Sequence, residues 1–190
     1  YARARNLLRG VREVCSSYGG QVPDNKLAIQ SIPGIGEYTA GAILSIAYNR
    51  AEPAVDGNVL RVFGRLHCIS EEISQSNVKK LITELVRQQI PAERPGDFNQ
   101  ALMELGATVC TPRNPRCSKC PIIEFCMAFK EQQQANLPVK RQKARAKTIL
   151  VAAVIIQHQD KYLLFRRPNK GLLAGMWEFP PQPPGSGSAY

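Results

Sequence analysis

Four of the six cysteines in this 190-residue sequence fall in one short stretch, Cys110, Cys117, Cys120 and Cys126, spaced C-x6-C-x2-C-x5-C. Four thiolates this close along a chain can enclose one zinc ion or one [4Fe-4S] cubane. Structural zinc usually takes two tight pairs, each spaced by two to four residues, and only Cys117 and Cys120 make such a pair. The uneven spacing suits the four corners of a cubane, so a [4Fe-4S] cluster is the expected cofactor and zinc the alternative. Cysteines grouped in this way point to metal binding in a reducing compartment rather than to a disulfide scaffold.

A second stretch, residues 31–65, carries the other groups capable of chemistry. The turn Ile32-Pro33-Gly34-Ile35-Gly36 opens an apolar helix, and a second turn, Val55-Asp56-Gly57-Asn58, opens another. Glycines two apart at a helix start let a ligand approach the backbone closely and adopt positive φ without steric cost. The amides exposed there sit at the positive end of the helix dipole, which suits a phosphate. Asp56 has the chemistry of a helix N-cap, a role that contributes about 1 kcal/mol and by itself requires no catalysis. Between the first two cluster cysteines, Pro112 and Pro115 stiffen a loop bearing Arg113 and Arg116, and Lys119 follows. These cations are placed to meet a polyanion.

The elements that must position these groups are read as helices up to residue 147. Apolar residues at Ala4, Leu7, Leu8, Val11, Val14, Cys15 and Tyr18 give residues 1–18 one helix face, ended by Gly19-Gly20, with Cys15 expected in the core. Asp24 or Asn25 is expected to cap a short helix up to Ile32. Residues 37–48 are almost all small or apolar, which predicts a helix buried on most sides. Asp56 is expected to cap residues 57–68, Ser76 an amphipathic helix bearing Val78, Leu81, Ile82, Leu85, Val86 and Ile90, and Asp97 residues 98–109. Residues 132–147 read as a solvated basic linker carrying Lys140, Arg141, Lys143, Arg145 and Lys147. From residue 148 the period changes: residues 149–156, a polar turn at 157–161 and residues 162–165 predict a β-hairpin.

Lys+Arg 25 against Asp+Glu 15 gives a formal net charge of +10, which favours a nucleic acid partner. At 44% hydrophobic the chain can bury a core. The longest apolar run, residues 149–156, is far below the roughly 20 residues that span a bilayer, so no membrane association is expected.

The hairpin and the aspartate turn together carry a resemblance. Pro33-Gly34-Ile35-Gly36, then Tyr38-Thr39-Ala40-Gly41-Ala42, then Asp56-Gly57-Asn58-Val59-Arg61-Val62 resemble the helix-hairpin-helix (endonuclease III) glycosylase superfamily, and within it the MutY-type adenine DNA glycosylases. Phe98 to Ala107 is similar to the same enzymes, as is the cysteine spacing. The run Gly171-Leu172-Leu173-Ala174-Gly175-Met176-Trp177-Glu178-Phe179-Pro180 resembles the start of their Nudix-like C-terminal domain. The resemblance implies a mainly α fold: a helix-hairpin-helix core with an iron–sulfur loop over residues 1–131, the basic linker, and a partial β segment over 148–190.

It also implies roles. Asp56 faces the sugar as positive charge builds on it, Asn58 orients Asp56 or a water, and Tyr38 stands where lyase relatives place a nucleophilic lysine, so monofunctional base release is expected. Pro33, Gly34, Ile35, Gly36 and Thr39, with Arg113 and Arg116, are expected to contact the DNA backbone. The expected substrate is double-stranded DNA containing adenine opposite 8-oxoguanine or guanine; the protein is expected to be a monomer inside the cell, in bacterial cytoplasm or in a eukaryotic nucleus or mitochondrion. The resemblance places the proton-donating glutamate on a helix before the residues present here, so this chain is read as a fragment expected to lack full activity. The competing readings are an endonuclease III-like pyrimidine glycosylase/lyase and a non-catalytic, cluster-containing DNA-binding module.

Overall fold

The computed structural model describes residues 2–141 and 152–180. The chain divides into a helical unit, Ala2–Gln142, and a C-terminal unit from Lys143 onward. Seven helices make the first unit: α1 (Ala2–Ser17), α2 (Lys26–Ser31), α3 (Glu37–Tyr48), α4 (Gly57–Leu66), α5 (Ser76–Gln89), α6 (Pro95–Thr108) and α7 (Met127–Lys130), with two short 3-10 turns between α6 and α7. No strand precedes β1 (Gln157–His158) among the described residues, as the absence of period-2 patterning predicts.

Two apolar clusters organise the helical unit. One joins Ile29, Ile32, Ala40 and Leu44 across α2 and α3, with Val14 and Tyr18 packed against it. The other is larger: Val59, Val62 and Phe63 of α4 meet Val78, Ile82 and Val86 of α5 and Leu102 of α6. The helix α4 is therefore central, touching α5, α6 and α7.

Of the two expected caps of α2, Asn25 is the one used, its Oδ1 accepting from the Ala28 N–H at 2.8 Å. Several expected details differ. Ser76 is the first residue of α5 rather than its cap; Gln75 precedes it in extended conformation and offers no side-chain bond. Asp97 does not cap α6, because Pro95 takes the first helical position, where its missing N–H costs nothing. Asp97 lies in the first turn and accepts from Arg94 Nε at 2.6 Å. The helix α3 is buried on one side only, through Ala40, Gly41, Leu44 and Ser45, while Ile46 is 49% exposed. Cys15 is exposed, since the α1 stripe that carries it packs mainly through Val14. Residues 132–141 do not begin as a free linker: Leu137 is buried, and the Val139 carbonyl accepts from Ile73 N–H at 3.0 Å. The basic residues Lys143, Arg145 and Lys147 lie outside the described residues.

In the C-terminal unit, β1 pairs antiparallel with β2 (Lys161–Tyr162), and Leu163 N–H adds a bond to the Ile156 carbonyl. A hairpin forms, but not with the expected bounds: its strands use Gln157, His158 and Lys161 of the expected turn, and residues 152–156 form no strand. Phe165 pairs with Glu178 instead, and the turn is only Gln159-Asp160, with Gln159 at φ +53. Residues 149–151 of the expected strand lie outside the described residues. A second pair joins β3 (Phe165–Arg166) to β4 (Trp177–Glu178).

Candidate active site and metal centre

The hairpin between α2 and α3 is set by one glycine. Gly34 has φ +90, and a Cβ there would lie 2.7 Å from Asn6 Cβ, so both backbone and space require glycine. Gly36 differs from expectation: its φ is −96, and it serves as N-cap of α3 without any side-chain bond. Its contribution is the open space around it, which leaves the first-turn amides of α3 uncovered at the positive end of the helix. Ile35 is half-buried and Thr39 lines the groove between α1 and the hairpin, so the expected phosphate-facing atoms are backbone rather than the Thr39 side chain.

Twenty residues on, Asp56 caps α4. Its Oδ1 accepts from the N–H groups of Asn58 and Val59, each at 2.8 Å, and its Oδ2 accepts from Asn58 Nδ2 at 3.0 Å. The carboxylate is thus held by three donors, yet it remains half-buried at the wall of a cavity of about 240 Å³ shared with Tyr38, Glu37, Gly57, Lys79 and Arg87. Tyr38 faces the same cavity, but its hydroxyl meets Met103 Sδ at 3.4 Å rather than Asp56. The structure therefore gathers Asp56, Asn58 and Tyr38 at one place and directs Asn58, not Tyr38, onto the carboxylate.

Behind Asn58 stands a buried guanidinium that the sequence offers only as one more arginine. Arg61 donates to Asn58 Oδ1 (2.9 Å), the Gly106 carbonyl (2.7 Å) and the Cys110 carbonyl (2.7 Å). Burial pulls its pKa below the ordinary arginine value; Cys110 raises it, Arg65 lowers it and Asp56 raises it in turn. Gly106 permits this contact, because a Cβ there would lie 2.5 Å from Asn58 Cβ. A bonded chain thus runs from the Asp56 carboxylate through Asn58 and Arg61 to the first residue of the cysteine loop. Asn99, fully buried, performs a parallel service for the turn before Asp56, donating to Ser45 Oγ and the Glu52 carbonyl and accepting from Ala54 N–H.

All four loop cysteines line one cavity, with Val109, Pro115, Ile123 and Phe129 as its apolar walls. Arg65, 2% exposed, reaches into the loop: its Nη1 meets Cys110 Sγ at 3.3 Å and donates to the Thr111 carbonyl at 2.8 Å, while Nε donates to the Leu137 carbonyl at 2.8 Å. Among the described residues no three His, Cys, Asp or Glu side chains are gathered closely enough for a single metal ion. Four sulfurs lining one cavity, in a stretch spaced C-x6-C-x2-C-x5-C, suit a polynuclear cluster better than the paired spacing of a tetrahedral zinc site. Burial pushes the Cys117 and Cys120 thiols up, and neighbouring cluster cysteines push the same way. Among the described residues, the four thiols share this cavity with no other polar side chain than Arg65 and Gln134. That donor set fits an iron–sulfur cluster, whose iron would hold them as thiolates.

Arg113, Arg116 and Lys119 are all exposed on this loop, and none takes part in an ion pair among the described residues. They do not join the Asp56 cavity. Cys68 is not core; α4 stops at Leu66, two residues short of the expected end, and Cys68 follows the His67 C-cap with φ +49, its Sγ meeting Glu131 Oε2 at 3.2 Å. Beside it, His67 stacks on Phe63.

Comparisons with known proteins agree with this geometry. Residues 17–46 match the family model of the helix-hairpin-helix motif, and residues 110–126 that of the iron-sulfur binding domain of endonuclease III. The chain is 41% identical to an adenine DNA glycosylase of Arabidopsis thaliana over 95% of its length, covering 31% of that protein. It is 37% identical to the Homo sapiens adenine DNA glycosylase, covering 95% of this chain and 41% of that one. For the enzyme of that name from Buchnera aphidicola the identity is 32%, with 95% and 52% covered. The chain thus spans about a third to a half of the length of these curated relatives. Among solved structures, a thermostable thymine-DNA glycosylase is similar with TM-score 0.57 and 34% identity, over 67% of this chain and 58% of that one. A trapped endonuclease III–DNA covalent intermediate gives TM-score 0.57 and 26% identity, over 69% and 60%. The helical unit has the helix-hairpin-helix glycosylase fold seen in endonuclease III, and residues 110–126 are its iron–sulfur loop.

Proposed function

We infer that this chain is the hairpin-and-cluster part of a base-excision-repair DNA glycosylase that releases adenine opposite 8-oxoguanine or guanine. The observation that carries it is the Asp56 carboxylate, fixed by three donors yet open to a cavity, in a chain similar to adenine DNA glycosylases over 95% of its length.

Cleaving an N-glycosidic bond builds positive charge on the sugar as the base leaves. A carboxylate about 4 Å from that charge interacts by roughly 4 kcal/mol at an effective dielectric of 20, equivalent to about three powers of ten in rate. Asp56 fills that role, and Asn58 positions it, with Arg61 setting the Asn58 amide through its Oδ1. The target base must leave the stack, and the uncovered first-turn amides of α3, after Gly36, hold a backbone phosphate beside it, while the Ile35 N–H closes the turn on the Ile32 carbonyl at 3.1 Å. Arg113, Arg116 and Lys119 add sequence-independent phosphate contacts. When bound, the cluster supplies metal–thiolate bonds that fix the loop presenting these cations.

Tyr38 excludes a Schiff base at its own position, since a phenol has no amine. The group that protonates the departing base is assigned to no residue of this chain. The test is Asp56→Asn in a chain carrying that acid: duplex binding persists while adenine release falls by several powers of ten. Unchanged release overturns the role of Asp56, and duplex binding with no release from the unsubstituted protein leaves a DNA-binding module. The likeness to a thymine-DNA glycosylase supports a second reading, which faster release of thymine from a T:G duplex than of adenine from an A:8-oxoguanine duplex would favour.

A further inference from the structure

Residues 131–134, Glu-Gln-Gln-Gln, have the composition of a solvated spacer, but the three glutamines behave differently. Gln132 and Gln133 are exposed, and Gln133 Oε1 accepts from Asn136 Nδ2 at 2.9 Å. Gln134 instead lines the cavity of the four cysteines. Its Oε1 is shut off from solvent and has no hydrogen-bond partner.

The backbone around it is anchored on both sides. Gln133 N–H donates to the Ala128 carbonyl at 2.7 Å, and the Gln133 carbonyl accepts from Asn136 and Leu137 at 3.0 and 3.1 Å. Leu137 is buried, and its own carbonyl takes Arg65 Nε. Gln134 is thus held at the cavity wall by a segment that cannot easily swing away.

A buried polar atom without a partner costs about 1–3 kcal/mol, so the site calls for a group that would satisfy it. The walls there are apolar apart from the sulfurs and the Arg65 guanidinium. Thiolate and sulfide sulfurs only accept hydrogen bonds, and a carboxamide oxygen facing them would be repelled. A half-turn of the amide exchanges its oxygen for Nε2, and the two ends are alike in shape. We propose that Gln134 is a cofactor-contacting residue of the iron–sulfur cluster, donating a carboxamide N–H to a cluster sulfur. The proposal rests on the cluster reading of residues 110–126. A donor at a cluster sulfur withdraws negative charge and favours the reduced form, as Arg65 does at Cys110.

The test loads the 190-residue chain with iron and sulfide and compares it with Gln134→Leu and Gln134→Glu. With iron content unchanged, the reduction potential should move negative in Gln134→Leu and further in Gln134→Glu. An oxidant such as ferricyanide should bleach the cluster absorbance severalfold faster in both. A loaded Gln134→Leu with wild-type potential and bleaching rate overturns the proposal. Should the variants load poorly, pulsed EPR on the wild-type cluster, brought to its paramagnetic state by one-electron reduction or oxidation, with ¹⁵N-labelled glutamine side chains decides it. Coupling to one side-chain nitrogen supports the contact, since Gln134 is the one glutamine lining the cavity among the described residues, and its absence refutes it. A wild-type chain that takes up no iron overturns the cluster reading as well, which is a different failure.

Discussion

The two halves of the helical unit are built unlike one another. Around α4, apolar side chains are enclosed by α5 and α6, and two arginines are buried with every carbonyl they face accounted for. Around α1, an apolar groove of about 670 Å³ lies open between the helix and the hairpin, and Leu7 is 70% exposed. Rigidity is therefore concentrated where Asp56 and the cysteines sit, and the hairpin face is held chiefly by α2 and α3. A site that stabilises charge must be fixed before the reaction, whereas a surface that meets DNA is read through backbone amides and exposed cations.

That contrast can be broken at its strong end first. Cys117→Ser should lose the iron and destabilise the helical unit by more than about 4 kcal/mol, as loss of a structural metal site does; iron analysis with urea unfolding measures it. Phe63→Ala, in the α4 core at 1% exposure, should cost about 3–5 kcal/mol by chemical denaturation. Replacing Arg61 by Met leaves the Gly106 and Cys110 carbonyls unpaired, at roughly 1–3 kcal/mol each. It should also free Asn58, lowering kcat for base release more than it changes KM in a chain that carries the proton donor. Gly106→Ala pushes a methyl onto Asn58 and should cost about 1–3 kcal/mol, with the same kcat signature in weaker form. Leu7→Ala, at the open end, should stay within about 0.5 kcal/mol of wild type. Hydrogen exchange sharpens the comparison, with α4 amides the slowest and α1 amides among the fastest. Equal protection in both helices would erase the distinction.

The legible parts of this fold are those encoded locally. Asp56 caps α4 because a carboxylate two and three residues before free N–H groups needs no distant partner. Gly34 announced a turn that side chains cannot enter. The caps of α5 and α6 were misread for the opposite reason: Ser76 and Asp97 are both good capping residues, but Pro95 started α6 earlier and α5 began at Ser76 itself. Cys15 lay on an apolar stripe, and periodicity marks a stripe without saying whether anything covers it. Arg61 and Asn99 fell inside the stretches that carry the resemblance but with no role of their own, and Arg65 and Gln134 carried no signal. Each depends on partners such as Gly106, Leu137 and Ser45, distant along the chain, or on the cysteine cavity.

The sequence alone determined the four-sulfur loop, the hairpin and the aspartate that follows it, because spacing, turn chemistry and capping are properties of a few consecutive residues. Only the tertiary structure decided which polar groups would be buried behind them. Burial of a guanidinium or a carboxamide is tolerable only where acceptors or donors from other segments already wait, and α6, α7 and residues 133–137 supply that environment.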